Sequence, residues 1–349
     1  AHDLLPLVPL DASIKVSRLR IRNLSGRSRH LTVTAYGEWV LGTSSATTGP
    51  YVSTELGPVT GGLLARNLWS GPDARVAFVD LGGRQTAWTG DRAEFIGRNG
   101  TLERPAALAT GAKLSGRTGA GLDPCGALQT SIVLAAHSSV ELVWLLGEAG
   151  TTQAAQAMIT RWRGEDMDVA LQSVRANWSA VLDTATVRTP DRAFDLMLNG
   201  WLLYQVLACR VWARSAFYQS SGAYGFRDQL QDTMALILAQ PALAREHLLR
   251  AAGRQFLEGD VQHWWLPQTG RGVRTRVSDD RVWLGYCVAH YVETTADAGV
   301  LDEMVPFLDG PALQPGQTDS FFLPTAGEQS ATLFEHCARG LDGSLAVGS

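Results

Sequence analysis

The first 150 residues alternate between short apolar runs and turn-forming residues such as Asn23–Gly26 and Leu81–Gly83. This punctuation is typical of antiparallel strands in a sandwich. The runs that we predict as strands are Ile14–Ile21, Leu31–Val40, Arg75–Leu81 and Ser131–Leu146. Large indole rings usually serve packing, and we expect this of Trp39, Trp69, Trp88 and Trp144. The pattern predicts an N-terminal antiparallel β-sandwich over residues 1–150.

After Thr151 the apolar residues recur at helical spacing, and Pro190 marks a boundary. We interpret residues 151–189 as a helical linker and expect the remainder, 190–349, to be nearly all helix. The predicted helices are 191–213, 228–239, 241–257, 279–297 and 328–345. Stacked helical hairpins with functional loops between them favour an α/α toroid, of which this chain holds about half.

Composition narrows the class of protein. With 45% hydrophobic and 18% charged residues the chain is typical of a soluble globular protein. A net charge of −4 argues against a nucleic-acid partner. The four cysteines lie far apart, which predicts neither a zinc site nor a disulfide framework and fits a reducing cytoplasm. They are Cys125, Cys209, Cys287 and Cys337.

The ends of the sequence suggest a piece of a longer protein. The first residue is Ala rather than Met, and no apolar run reaches the roughly 18 residues that a membrane span needs. We expect a cytoplasmic location, either of the chain alone or as the cytoplasmic part of an inner-membrane parent protein.

The stretch Ala216–Ala235 holds the strongest candidate site. It begins as a glycine-containing loop and continues as a helix, whose positions three and four apart share a face. Polar groups gather on its first turns: Arg227, Asp228, Gln231 and Asp232. Aromatic residues surround them: Trp212, Phe217, Tyr218, Tyr224 and Phe226. This mixture favours a neutral sugar, because rings cover its C–H faces while Arg and Asp bond its hydroxyls. The alternative is a solvated helix start with acids at its positive end.

Two later loops are expected to line the same site. The first holds His263, Trp264 and Trp265, where packing and sugar contact are equally compatible with the residues. The second leads to Asp279 and Asp280 in the first turn of a helix. Its arginines could hold an anion or pair with these two aspartates: Arg271, Arg274 and Arg276. We find no nucleotide-binding or zinc-hydrolase motif in the sequence.

The segment Tyr218-Gln-Ser-Ser-Gly-Ala-Tyr-Gly-Phe-Arg-Asp-Gln-Leu-Gln-Asp232 resembles the Gly-[Phe/Tyr]-Arg-Asp-x-x-Gln-Asp segment of cellobiose and chitobiose phosphorylases, glycoside hydrolase family 94. A longer resemblance, over nearly the whole chain, is to the carboxy-terminal phosphorylase-like domain of cyclic β-1,2-glucan synthases. Its further matching segments are Asp260–Trp265, Gly270–Arg276 and Glu335–Arg339.

The resemblance implies an amino-terminal β-sandwich, a helical linker and the first half of an (α/α)6 barrel. It implies an inverting phosphorylase in which inorganic phosphate is the co-substrate, with no other cofactor and no metal, and attacks the anomeric carbon of a β-linked glucan. Arg227, Asp228 and Asp232 match positions that bind the sugar beside the cleaved bond. The family's general acid and phosphate-binding motifs do not occur between Ala1 and Ser349.

We therefore expect no catalytic residue in this chain, inactivity of the chain alone, and a missing C-terminal half of the domain as its partner. A homodimer is compatible with the sequence. Two alternatives stay open. One is an (α/α)-barrel inverting hydrolase, with Asp228 and either Asp279 or Asp280 as paired carboxylates. The other is a glycan-binding module without chemistry.

Overall fold

The computed structural model describes residues 1–345 apart from 43, 72–73, 110, 214–221 and 268. The chain divides into two compact units, Ala1–Asn177 and Trp178–Ser349. Each unit has hydrophobic core clusters of its own. The domain boundaries expected near residues 150 and 189 stay a prediction.

The first unit is built mainly from strands, with helices between and after them. In chain order its elements are β1 His2–Leu7, β2 Ile14–Arg22, β3 Arg29–Glu38, α1 Ser45–Thr48, β4 Val52–Leu56, β5 Leu63–Asn67, β6 Val76–Asp80, β7 Ala87–Asp91, α2 Arg92–Ile96, β8 Pro124–Leu134, β9 Ser139–Ala149 and α3 Thr152–Gly164. A further helix, α4, runs over Met167–Leu182, so its last residues belong to the second unit.

Within the described residues these strands form two antiparallel sheets, ordered β1-β2-β9-β6-β5-β4 and β3-β8-β7. The predicted sandwich is confirmed. The run Ser131–Leu146, predicted as one strand, is the end of β8 and most of β9. A turn separates them, because His137 takes a positive φ of 54° and the Ser138 N–H donates to the carbonyl of Ala135.

Strand β6 shows how the large sheet is covered on both faces. Successive side chains of a strand point to opposite faces, and here both sets are apolar. Val76 and Phe78 pack in a cluster with Ile159 of α3. Ala77 and Val79 pack in another cluster with Leu128 of the second sheet. The sheet therefore lies between a helix and a second sheet.

Arg163 fastens α3 to that sheet. The helix begins at an N-cap, where the hydroxyl of Thr151 accepts from the N–H of Ala154 at 3.1 Å. Near its other end, Arg163 donates through Nε and Nη2 to the fully buried carboxylate of Asp80, at 3.0 and 2.5 Å.

The tryptophans of this unit, which were expected to pack, differ in burial. Trp39 is buried, whereas Trp69 is 76% exposed. Within the described chain, the half-exposed ring of Tyr51 is the one aromatic side chain that Trp69 contacts. The expectation that Trp69 serves packing is therefore wrong.

The second unit combines helices with short strands. It begins with a helical stretch in which α5 Arg192–Leu196 and α6 Leu202–Gln205 are followed by π-helical turns at Met197–Trp201 and Val206–Val211, respectively. The later elements are β10 Tyr224–Gly225, α7 Phe226–Met234, α8 Pro241–Ala252, β11 Gln262–Trp265, β12 Gly272–Thr275, α9 Asp280–Thr295, β13 Met304–Asp309, β14 Asp319–Phe322, β15 Thr325–Thr332 and α10 Leu333–Asp342.

The expectation that the chain is nearly all helix beyond Pro190 is wrong. Strands form one sheet in the order β10-β11-β12-β14, and β13 pairs with β15. The helix predicted over 328–345 begins only at Leu333, because residues 325–332 form strand β15. The strands of the first sheet are only two to four residues long, too short to show a period of two in the sequence.

The predicted helical part is nevertheless present and supplies the core. Helices α7, α8, α9 and α10 contribute Leu230, Leu248, Leu284 and Leu333, each at most 1% exposed, to one cluster. Helix α7 begins at Phe226, two residues before its predicted start, and ends at Met234. This packing fixes the first turns of α7 and α9, which carry most of the candidate site.

Candidate functional site

An open cleft in the second unit gathers many of the predicted residues. Its volume is about 700 Å³, and we call it the Arg227 cleft. The elements that form it are β10 with the start of α7, strand β11, and the segment entering α9. Its lining residues are Ala223, Gly225, Phe226, Arg227, Asp228, Gln231, His263, Trp264, Val277, Asp279 and Asp280.

Arg227 spans one side of the cleft. Its Nη1 donates to Asp279 Oδ2 at 2.7 Å, and its Nε donates to Gln231 Oε1 at 3.4 Å. The guanidinium also lies over the ring of Trp283, 5.0 Å from the ring centroid. Arg227 and Asp279 are 48% and 42% exposed, so their ion pair contributes only about 0–1 kcal/mol to folding. The ion pair holds the guanidinium of Arg227, which carries several N–H donors, at the edge of the cleft.

His263 lies on strand β11 above a buried carboxylate. Its Nδ1 is 2.7 Å from Asp280 Oδ2, and the two side chains are 43% and 2% exposed. The hydrogen bond to Asp280 raises the pKa of His263, although partial burial opposes the shift. The negative charges of Asp228 and Asp279 also raise the pKa of His263. The histidine therefore presents a polar ring edge to the cleft and gains positive charge readily.

Trp264 supplies an aromatic face at the same cleft. Its ring is half-buried and lies 5.5 Å from that of Phe321, at an interplanar angle of 34°. Adjacent residues of a strand face opposite ways, and its neighbour Trp265 is accordingly 1% exposed in the core. Of this pair, only Trp264 lines the cleft.

Several other predicted residues do not line the cleft, among them Tyr224, Asp232, Trp265 and Arg274. The hydroxyl of Tyr224 donates to the carbonyl of Val211 at 2.7 Å, and its ring packs edge-on against Trp265. Asp232 accepts from Nε of Arg210 at 3.0 and 3.1 Å. Tyr218 and Phe217, predicted to frame the site, lie outside the described residues.

Arg274 is a buried structural group. Its Nε and Nη2 donate to the two carboxylate oxygens of Asp260, each at 2.7 Å, and Nη2 also reaches Glu258 at 3.0 Å. Its guanidinium lies 3.9 Å from the ring centroid of Phe256. These contacts satisfy a charge whose side chain is only 2% exposed.

Of the two alternatives left open for the loop arginines, an anion site or pairing with Asp279 and Asp280, the pairing is wrong. Arg276 donates to main-chain carbonyls, among them that of Gln317 at 2.9 Å, and Arg271 lies over the ring of Phe321. The carboxylates are paired instead with Arg227 and His263. Arg274 is buried and is held by Asp260 and Glu258 instead.

Sequence reasoning missed Trp283, which lies beneath the guanidinium of Arg227. Its position offers a signal, since it follows Asp279 by four residues and such residues share one helix face. Among the residues that the structure describes, no group of three or more His, Cys, Asp or Glu is arranged to hold a metal ion. Likewise, none of the helices that the structure describes is long and apolar enough to cross a membrane.

Comparison with known proteins matches both units to one family. Residues 1–165 match the model described as glycosyl hydrolase 94, supersandwich domain. Residues 177–349 match the model described as glycosyl hydrolase 94 superfamily, catalytic domain. A bacterial glucoamylase complexed with acarbose superposes with a TM-score of 0.52 at 13% identity, covering 85% of this chain and 45% of that one. At this identity the match concerns the fold alone.

Two curated relatives illustrate the range of similarity. Cyclic beta-(1,2)-glucan synthase NdvB of Rhizobium meliloti is 46% identical over 329 residues, which cover 94% of this chain and 12% of the synthase. N,N'-diacetylchitobiose phosphorylase of Vibrio furnissii is 26% identical over 279 residues, covering 71% of this chain and 35% of the phosphorylase. The chain thus spans well under half the length of either relative.

Proposed function

The chain belongs to the glycosyl hydrolase 94 family, and on that premise we propose that it forms part of an inverting phosphorylase-like unit that acts on a β-linked glucan. The relative NdvB is named for cyclic β-(1,2)-glucan, so we propose β-1,2 as the linkage. The Arg227 cleft is then the subsite for one sugar ring.

The observation that carries this proposal is the pairing of charged and aromatic groups around the cleft. Arg227 and His263 offer nitrogen donors, Asp228 and Asp279 offer carboxylate acceptors, and Trp264 offers an aromatic face. A pyranose ring presents hydroxyls at its rim and C–H groups on its faces. Charge-assisted hydrogen bonds suit the rim and an aromatic ring suits the face.

We assign substrate positioning, and no chemical step, to these residues. Held in the cleft, the sugar would keep its anomeric carbon oriented for attack by inorganic phosphate, and orientation of this kind lowers the barrier of a reaction between two molecules. Asp279 is already bonded to Arg227, and Asp280 to His263. We therefore do not propose either of them as the general acid.

The proposal includes phosphate contacts and a general acid supplied by a further segment of a longer protein, since the relatives are longer than this chain.

The first test is binding of β-1,2-gluco-oligosaccharides to the purified chain by calorimetry. We expect binding that Arg227→Ala weakens at least about tenfold, because the substitution removes charge-assisted bonds. The matched control is Arg250→Ala, which removes another arginine of the same unit whose partner, Glu246, lies one turn away on α8. Equal affinities of both variants and the unmodified chain would contradict the assignment of the cleft.

A second measurement separates the classes of activity. The chain within its full-length protein is supplied with the same oligosaccharide, with and without inorganic phosphate. Glucose 1-phosphate formed only with phosphate supports the phosphorylase. Free glucose formed at the same rate without phosphate would support a hydrolase, and binding with no product under either condition would support a glycan-binding module.

A further inference from the structure

Asp280 is almost fully buried, yet it lies directly behind a half-exposed histidine. A buried carboxylate is unfavourable unless it is bonded to a suitable partner. Asp280 has two such supports: His263 Nδ1 at 2.7 Å and its own place in the first turn of α9, where the helix dipole favours negative charge. Its side chain is 2% exposed, too little for a sugar to contact it.

The hydrogen bond determines which nitrogen of His263 carries the proton. An ionised carboxylate only accepts hydrogen bonds, so Nδ1 must donate. In the neutral ring Nε2 is then unprotonated, and its lone pair is an acceptor. Because Nδ1 faces the buried carboxylate, the exposed part of the ring is the edge that carries Nε2. No other hydrogen bond to this ring occurs in the part of the chain that the structure describes.

We propose that Asp280 is a positioning residue that holds His263 in the Nδ1–H form, so that Nε2 faces the cleft and pairs with a hydroxyl group of the bound sugar. This inference rests on the proposed function for the identity of the ligand. It assigns the direct contact to His263 and an indirect role to Asp280.

A hydroxyl group can pair with Nε2 in both protonation states of the histidine. The neutral ring accepts a hydrogen bond at Nε2, whereas the protonated ring donates one, and a hydroxyl can rotate to satisfy either form. The groups whose negative charge raises the pKa of His263 are Asp280 behind the ring, Asp228 and Asp279. Arg227 lines the same cleft. A ligand that offered only a fixed acceptor would match the protonated form alone.

The test begins with the tautomer of His263, read from its ¹⁵N chemical shifts in ¹⁵N-histidine-labelled protein, the signal being assigned by its loss in His263→Gln. Above the raised pKa we expect protonated Nδ1 and unprotonated Nε2. In Asp280→Asn the tautomer should shift toward Nε2–H and the pKa should fall, because the carboxylate is gone. The matched control, Asp279→Asn, removes a neighbouring charge without touching this bond and should leave the tautomer unchanged.

The second measurement is affinity for the β-1,2-gluco-oligosaccharide in the same variants, with thermal melts to confirm folding. We expect Asp280→Asn and His263→Gln each to lose about three- to tenfold, the value of one hydrogen bond. A wild-type ring with Nε2–H above its pKa, or a tautomer unchanged by Asp280→Asn, would overturn the positioning role without needing any ligand.

The two proposals fail in different ways. If the tautomer shifts as expected but Asp280→Asn and His263→Gln bind the oligosaccharide as well as the unmodified chain, the sugar contact of His263 is overturned. If the unmodified chain does not bind the oligosaccharide at all while the tautomer shifts as expected, the proposed function fails and the positioning of His263 by Asp280 stands.

Discussion

Arg274 illustrates how a single residue can look functional in a sequence and serve the fold. Its guanidinium joins β12 to Asp260 and Glu258, and its Nη1 also donates to the carbonyls of Gly310 and Pro311, at 3.2 and 3.1 Å. These partners lie between 14 and 37 residues away along the chain. One side chain thus ties three separate segments together.

We predict that Arg274→Ala lowers the free energy of unfolding by about 3–5 kcal/mol, because it leaves the buried carboxylate of Asp260 without its cation. Urea unfolding followed by circular dichroism measures the change. Arg250→Ala, which breaks an exposed pair within α8, should lower it by less than about 0.5 kcal/mol. Equal losses in the two variants would show that burial does not determine how much these arginines contribute to the free energy of unfolding.

The candidate site was only partly predictable at this scale. Residues near one another in sequence, such as Arg227, Asp228 and Gln231, could be assigned to one helix face from their spacing. The partner of Arg227 could not, because Asp279 lies 52 residues away and is brought close by the packing of α7 and α9. Spacing along the chain carries no information about which of several acids a given arginine will meet.

At the scale of elements, helix α10 shows why the boundary between a strand and a helix is hard to read. The helix was expected from residue 328, but β15 continues to Thr332 by pairing with β13. The helix then begins where the hydroxyl of Thr332 accepts from the N–H of Glu335 at 3.2 Å. A Thr three residues before a Glu is a recognised helix start, so the cap was visible although the strand before it was not.

Thr332→Ala should lower the free energy of unfolding by about 1 kcal/mol, since the first turn of α10 loses its capping acceptor. The matched control is Thr325→Ala at the exposed opposite end of β15, with an expected change within about 0.5 kcal/mol. Thermal or urea unfolding of both variants provides the comparison. A larger loss for Thr325→Ala than for Thr332→Ala would contradict the role of the cap.

Among the elements, strand β2 was predicted well. The predicted run Ile14–Ile21 agrees closely with β2, because nine residues are enough to show a pattern of turns and β-branched residues. The sequence did not predict strands β11 and β12, because each has only four residues and their pairing depends on the folding of the whole second unit. Pairing between distant segments, rather than local preference, makes these residues strands.

At the scale of the whole molecule, two histidines of the second unit respond to pH in opposite ways. The bond to Asp280 raises the pKa of His263. Burial lowers the pKa of His336, whose ring contacts Gln255 Oε1 at 2.8 Å and the carbonyl of Val305 at 3.0 Å. The folded protein therefore binds a proton more tightly than the unfolded chain at one site and less tightly at the other.

We predict opposite pH dependences for variants of these residues. The contribution of His263 to the free energy of unfolding is complete below the ordinary histidine pKa of about 6.5, and it is lost as pH rises through the raised pKa of this residue. His336 contributes most above that ordinary value, and its contribution is lost as pH falls toward the lowered one. The loss of stability in His263→Gln should therefore shrink between about pH 5 and about pH 8, and that in His336→Gln should grow. Urea midpoints at both pH values test this, and parallel trends would contradict it.

The large sheet of the first unit has a consequence for how the protein can change over evolutionary time. Strand β6 has apolar neighbours on both faces and a paired strand along each edge. A substitution there disturbs two cores at once, so a compensating change in one core leaves the other unrepaired. Sequence drift in this unit should therefore collect in the outer strands β1 and β3, while β6 remains the slowest segment to accept new residues.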